Sequence, residues 1–429
     1  MTTGSARTTD DSSAAAPAAP PPATAELSVL IVNYNTWREC AAAVASLRRH
    51  GPQRADGTAM PFECIVVDNC SPQRDPAGIA AVEAELRGLA AEQRDPAAGR
   101  LILHHENGGY SKGMNVAAAH ARGRWLLVSN PDVLFGPGLI PALQRHLERD
   151  PRAGCVVPKG FWDPEFAGRL PPNTLPTLRE LLVTTLGQFV PALSHWYGRR
   201  LAKRWVRVWT AEQPLALPMM SGCMFLIDRA FFESIGRFDE RYPLYYEDTD
   251  LSVTIQKHGR TVTQVPDARL VHFVNRSGMS DLETMWQRHH QSRRLYFAKW
   301  YGRLGTWALD AADWLLHRSP IRRWKRFRFP TPLVDLGQST APPRLEFGRH
   351  CERFLVLMSL DPSLYLAAGM LGSGASWTPS PVAFAHFVNS VFYFGAYDLT
   401  GGRFERIGTW RYHCLSHLGT AVPAPAGAR

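Results

Sequence analysis

The sequence predicts an α/β fold: a mostly parallel sheet flanked by helices, followed by a helical C-terminal extension. Two observations carry this. Short apolar runs alternate with helix-spaced segments from Leu27 onward, the pattern of strands joined by helical crossovers. The apolar runs end in polar residues, at Asn33, Asp68, Asn107 and Asp132 or close to them, and in such sheets ligands bind beyond the carboxyl ends of the strands.

The elements follow in order. Leu27–Val32 is an apolar run typical of a buried strand, and Asn33-Tyr34-Asn35-Thr36 is its turn. Residues 37 to 49 read as a helix with Thr36 as cap and Gly51 as stop. A second strand, 62 to 67, ends at Asp68-Asn69, and residues 76 to 92 read as a helix. The third strand covers 101 to 104, before Asn107-Gly108-Gly109-Tyr110 and a helix over 111 to 121. The fourth, Trp125–Val128, leads to Ser129-Asn130-Pro131-Asp132. Residues 161 to 217 are proline-rich and irregular, with an amphipathic stretch near 178 to 190, and read as an insertion over the sheet. A strand over 222 to 227, a helix over 248 to 258 closed by Gly259, and a strand over 261 to 265 complete the pattern.

Bulk properties set the limits. The chain has 429 residues, 45% hydrophobic and 20% charged, enough for a sizeable core. Three parts are expected: a disordered Ala/Pro/Ser/Thr tail over residues 1–25, a sheet domain over 26–280 with 161–217 inserted, and a basic, Trp-rich extension over 281–429. The net charge of +10 favours acidic partners such as phosphates or anionic lipid. Seven scattered cysteines, Cys40, Cys64, Cys70, Cys155, Cys223, Cys351 and Cys414, suit a reducing compartment, and no signal peptide is expected.

Three polar signals point to chemistry. Asn130-Pro131-Asp132 follows a strand, where a carboxylate can reach a hard cation that also holds phosphate oxygens; out of context the tripeptide is equally a turn. Glu247-Asp248-Thr249-Asp250 puts three acids at a helix start. They can compensate the helix dipole, or one can act as a base with its pKa raised by its neighbours. His272 follows a strand and reads either as a structural histidine or as a neutral imidazole ligand.

Six segments occur together and in order: Ile31-Val32-Asn33-Tyr34-Asn35, Val66-Val67-Asp68-Asn69-Cys70-Ser71, Asn107 to Asn115, Ser129-Asn130-Pro131-Asp132, Ser221-Gly222-Cys223-Met224 and Tyr245 to Leu251. Over residues 27 to 280 the chain thereby resembles the family 2 glycosyltransferases, most closely the branch with bacterial rhamnosyltransferases and galactofuranosyltransferases. The resemblance implies a GT-A fold with a Rossmann-like sheet, and inverting transfer of a sugar, rhamnose by first preference, from a dTDP- or UDP-linked donor to an acceptor hydroxyl.

In that reading Asn33, Tyr34, Asp68 and Asn69 surround the nucleoside. Asn107, Asn115 and Asn130 help hold the nucleotide and donor sugar, and Gly108 and Gly109 allow close backbone approach. Asp132 and His272 ligate a divalent metal, Mg or Mn, and Asp248 is the catalytic base. Gly222, Glu247 and Asp250 lie on the acceptor side or support it. Two departures from the family pattern stand out. Asn130 replaces the first acid of the Asp-X-Asp motif, leaving the metal fewer charged ligands, and Lys112 either meets phosphate or is a solvated helix residue.

The resemblance does not reach the extension. Residues 286 to 330 hold 11 Lys and Arg against two acids, with Trp300, Trp307 and Trp314 at heptad spacing and Trp286 two repeats earlier; Gly302 and Gly305 interrupt. The stripe reads as core packing behind a solvated basic face, or as a surface helix on anionic membrane that would suit a polyprenyl-diphosphate-linked saccharide acceptor. The second reading makes the protein a cytoplasmic enzyme, peripheral at the inner face of the cell membrane. No base-reading motif accompanies the charge, so nucleic acid is not an expected partner. Residues 340 to 420 read as largely helical. Two rival functions are a nucleotidyltransferase, disfavoured because the first loop lacks glycine, and a non-catalytic module that holds a partner or a carbohydrate, disfavoured because Asp132, Asp248 and His272 are all present.

Overall fold

The protein is described from a computed structural model, in which residues 25–53, 57–272, 282–325 and 327–415 are placed. The tail expected over residues 1–25 lies, but for Ala25, outside the described residues.

The sheet starts from two strands, β1 (Leu27–Asn33) and β2 (Phe62–Asp68), buried along their whole length. Successive side chains face opposite ways. Val29, Ile31, Cys64 and Val66 therefore join one core, and Leu30, Val32, Ile65 and Val67 the other. Helices cover both faces. α1 (Trp37–Arg49) turns Cys40, Val44 and Leu47 inward. α2 (Pro76–Gln93) starts at Asp75, whose carboxylate accepts from the Ala77 N–H, with Pro76 in the first turn. β3 (Gly99–Leu103), α3 (Tyr110–Ala119) and β4 (Trp125–Ser129) follow. β3, β2, β1 and β4 run parallel, with Asn33 opposite Asp68.

Beyond β4 the chain adds β5 (Val133–Phe135), α4 (Leu139–Arg149), β6 (Ala153–Phe161) and β7 (Gly168–Arg169). The segment expected to be irregular instead holds two helices, α5 (Leu178–Gly187) and α6 (Pro191–Trp209), before β8 (Leu215–Leu217). Thr177 caps α5 through the Glu180 N–H, and Pro191 opens α6. Prolines placed at helix starts do not break helices. β9 (Met224–Asp228), α7 (Arg229–Ser234), α8 (Glu247–Lys257) and β10 (Thr261–His272) return the chain to the sheet. There β9 lies antiparallel to β4, and β10 pairs with β5, β6 and β8.

The expectation of a helical extension holds for α9 (Leu282–Asp313), which breaks at Gly302 (φ 59°). It fails further on. Residues read as largely helical form β11 (Leu333–Ser339), β12 (Leu345–Ser359), β13 (Ala368–Trp377), β14 (Ser390–Asp398) and β15 (Glu405–Cys414), with the one-turn α10 (Pro381–Phe384) and a 3₁₀ turn at Thr400–Gly402 between them. Leu345 and Phe347 are buried while Glu346 and Gly348 are exposed, the alternation of a strand with one wet face. These strands join the first sheet edge to edge, through Gly369 and Met370 of β13 against Arg169 and Gly168 of β7. The result is one mixed 15-stranded sheet.

The tryptophan stripe is not core packing. Trp286, Trp307 and Trp314 are 50%, 68% and 54% exposed. Trp300 is the partial exception, its Nε1 donating to Asp250 Oδ1 at 2.8 Å. No helix among the described residues is long and apolar enough to cross a membrane.

Candidate active site

A cavity of about 800 Å³ opens over the carboxyl ends of β1, β2 and β4. One wall carries Tyr34, Asn69, Asn107 and Gly109, and the floor Asn130, Asp132, Gly222 and His272. Glu247 and Asp248 also line it, and a third wall comes from α5, α6, α9 and the loop holding Tyr365.

Register explains how residues far apart in sequence meet. β10 runs antiparallel to β5 with His272 opposite Val133, so His272 sits beside Asp132. Their Nε2 and Oδ1 atoms are 3.2 Å apart. Apart from this ionic contact, both Asp132 oxygens and the His272 Nε2 are buried without a hydrogen-bond partner. Such orphaned atoms demand an explanation, and an ion is one. Burial works against the imidazolium, but the Asp132 carboxylate, with Cys223 adding to it, outweighs burial and lifts the imidazole to about 10. Among the described residues no cluster of three or more His, Cys, Asp or Glu could hold a metal alone. The buried carboxylate can be neutralised by a proton on the imidazole, or by a cation that displaces that proton and is completed by phosphate and water oxygens.

Asp248 stands in the first turn of α8. Its Oδ2 accepts from the Gly222 N–H at 2.9 Å, and its Oδ1 from the Thr249 N–H at 2.7 Å and the Thr249 hydroxyl at 3.3 Å. Burial raises its pKa against these stabilising donors. Glu247 beside it is pushed up to about 8, first by burial and then by the Asp248 charge, and its Oε2 is buried and unpartnered. Asp248 has three donors on its oxygens and Glu247 Oε2 has none, so of the two the Asp248 carboxylate is the better stabilised in its charged form.

The turn before α8 explains why Glu247 and Asp248 both line the cavity. Tyr245 and Tyr246 adopt left-handed backbones, φ 63° and 68°, a strained arrangement for consecutive aromatic residues. It starts α8 abruptly with its acids facing the cavity. Nothing in the sequence marked this, nor Glu180, Trp286 and His289 as wall residues.

Asn69 Nδ2 and the Gly109 N–H both donate to Asn107 Oδ1, at 2.9 and 3.1 Å. Asn69 Oδ1 is left buried and unpartnered, an acceptor in the cavity wall. Gly109 has φ +86°, and a Cβ there would meet the Pro243 carbonyl oxygen at 2.7 Å. Gly108 is less demanding, since a Cβ would meet only the Lys112 side chain. Lys112 itself pairs with Glu106 at the surface.

Other expected site residues stand behind the wall. Asp68 Oδ1 accepts from Asn33 Nδ2 at 2.9 Å and from the Ser71 hydroxyl at 2.5 Å, and its Oδ2 from the Ser71 N–H. The buried Asn33–Asp68 pair ties the ends of β1 and β2 together. Asn115 exchanges hydrogen bonds with the Phe238 backbone and donates to Glu240. Its amide is thus committed to the 238–240 loop and does not line the cavity. Asp250 receives Tyr242, Lys299 and Trp300, fastening α9 to α8.

The chain is similar to known glycosyltransferases. Residues 28–236 match the family described as Glycosyl transferase family 2. Over 289 residues the chain is 30% identical to the N-acetylglucosaminyl-diphospho-decaprenol L-rhamnosyltransferase of Mycobacterium tuberculosis, spanning 63% of this chain and 88% of that one. An uncharacterized glycosyltransferase of Haemophilus influenzae is 27% identical over 38% of this chain and 50% of its own. The mannosyltransferase PcManGT of Pyrobaculum calidifontis, solved with GDP-Man and Mn²⁺, aligns over 70% of this chain and 76% of its own, at 19% identity and a TM-score of 0.41. The chain belongs to glycosyltransferase family 2 and has the GT-A fold of that family. It is a glycosyltransferase.

Proposed function

We propose that the protein is an inverting glycosyltransferase acting in cell-surface polysaccharide assembly. It would move a sugar, rhamnose by first preference, from a nucleotide diphosphate to a hydroxyl of a polyprenyl-diphosphate-linked saccharide. The observation that carries the reading is that Asp132, His272 and Asp248 line one cavity large enough for a nucleotide-sugar. The relative of known activity, a rhamnosyltransferase whose name specifies a decaprenol-diphosphate-linked saccharide, supports the choice of sugar and acceptor.

Each residue then has a task. Tyr34, Asn69 and Asn107 hold the nucleoside, with Asn69 Oδ1 free to accept from an N–H of the base. The Gly109 turn lets the phosphates approach the backbone at the start of α3. Asp132 and His272 would hold a divalent cation, which when bound neutralises charge on the departing diphosphate. Asp248, held ionised by the Gly222 and Thr249 donors, takes the acceptor's hydroxyl proton as that oxygen attacks the anomeric carbon. Attack from the face opposite the diphosphate inverts the configuration. Glu247, protonated, can donate to a substrate oxygen.

The outward tryptophans suit a membrane-surface position, with indoles at headgroup depth and arginines on anionic lipid. The enzyme would then meet its lipid-linked acceptor at the inner face of the membrane.

The experiment is a screen of dTDP- and UDP-sugars by nucleotide release, with product mass spectrometry, on wild type and Asp248→Asn. Expected is one favoured donor, with transfer abolished and nucleotide affinity kept in the variant. Near-normal turnover by Asp248→Asn would remove it as the base. Absence of nucleotide release with every donor and acceptor tested would overturn the proposed transfer.

A further inference from the structure

A second cavity, about 430 Å³, lies between α6 and the C-terminal strands. Its wall carries four arginines, Arg199, Arg328, Arg403 and Arg406, together with the aromatic rings of Phe404 and Tyr397. One carboxylate, Glu405, shares the wall, and it is already engaged by Arg349 outside the cavity at 3.1 Å.

None of the four arginines has a carboxylate at contact distance among the described residues; Arg403 only helps lower the Asp398 carboxyl from farther off, and Arg406 lies over the Tyr397 ring. Arg199 donates to the Phe404 carbonyl at 2.8 Å. Arg406 donates to the Tyr397 hydroxyl at 2.8 Å and the Thr409 hydroxyl at 3.2 Å. All three acceptors are neutral. The Arg406 Nε is buried and has no partner. Guanidinium groups gathered around one hollow repel one another unless an anion joins them, and their planar forks match phosphate oxygens.

This hollow is separate from the catalytic cavity. Ser194 lines it and Tyr365 lines the other, and their hydroxyls share a hydrogen bond of 2.6 Å across the partition.

We infer that the α6 cavity is a binding site for a phosphate-bearing anion with an apolar or planar portion, the phosphate held by Arg328 and Arg403 and the rest against Phe404, while Arg406 adds its charge from its place over the Tyr397 ring. Two sources share this chemistry, a soluble phosphate compound and the headgroup of an anionic lipid. The site is independent of the catalytic assignment.

The test uses the full chain and two probes. Inorganic pyrophosphate binding is measured by calorimetry in EDTA, and co-flotation is measured with phosphatidylcholine vesicles with and without phosphatidylglycerol. The variants are Arg328→Gln/Arg403→Gln, both at exposed positions, and Glu405→Gln. Each lost charged hydrogen bond is expected to weaken binding about tenfold, while Glu405→Gln tightens it severalfold. Loss of pyrophosphate binding in the double variant supports the site with a soluble ligand. Loss of phosphatidylglycerol-dependent flotation alone supports it with a lipid headgroup. If both variants match wild type with both probes while keeping its thermal midpoint, the inference is overturned.

Discussion

The Gly222 N–H donates to Asp248 Oδ2 at 2.9 Å, and a Cβ on Gly222 would lie 3.2 Å from that same oxygen. The glycine is required here by space and not by backbone conformation. Gly222→Ala should shift the Asp248 carboxylate by a few tenths of an ångström or more. Misplacement of this kind lowers turnover by up to about a hundredfold. Steady-state kinetics should show kcat falling with nucleotide affinity kept. An unchanged kcat would mean that the Asp248 carboxylate accommodates the added methyl without leaving its working position.

The unpartnered Asp132 and His272 atoms predict metal-linked nucleotide binding. Adding EDTA to wild type should weaken nucleotide diphosphate affinity by about tenfold or more, and Mn²⁺ should restore it. Asp132→Asn and His272→Gln should both lose most of this metal effect. Equal affinity with and without metal in wild type would refute a cation at this pair.

Gly109 predicts a stability change. Its left-handed φ and the Pro243 carbonyl 2.7 Å from a notional Cβ both oppose a side chain. Gly109→Ala should lose about 1–3 kcal/mol from strain, with a further loss from the clash. Urea unfolding should show a lower midpoint at unchanged m-value. A neutral result would show that the turn readily re-forms.

His289 predicts how stability changes with pH. Burial first, then His290 and Arg293, depress its pKa from 6.5 to about 4. The unfolded chain therefore binds more protons between those values, and stability contributed by neutral His289 is present above 6.5 and lost as pH falls toward 4. The thermal midpoint of His289→Gln should decline less than that of wild type across this window. Parallel curves would indicate that His289 is solvated in the native state.

The exposed Trp307 and Trp314 predict membrane affinity. Trp307→Ala/Trp314→Ala should reduce flotation with anionic vesicles and slow transfer to a lipid-linked acceptor, with hydrolysis of the soluble donor unchanged. Retained flotation would assign these rings another role.

The strands and helices from Leu27 to Ala119 were legible because each carries a local signal: a continuous apolar run, a helical spacing, or a proline or acid at a helix start. The strands of the extension were not read, because glycines and prolines hid the alternation around Leu345 and Phe347. The tryptophan spacing fell on helical segments, but these break at Gly302 and the spacing could not say which way they face. Exposure depends on what else packs there.

The sequence by itself determined the α/β fold, the polar residues at strand ends, and the membership those residues imply, since all of these rest on short-range pattern and residue type. The tertiary structure decided which of those residues reach the cavity. Asn33, Asp68 and Asn115 spend their hydrogen bonds inside the protein, while Asn69, Asp132, Glu247 and His272 keep atoms unpaired. That division depends on strand register and on the left-handed turn at Tyr245 and Tyr246, contacts between residues far apart in the chain that no local pattern encodes.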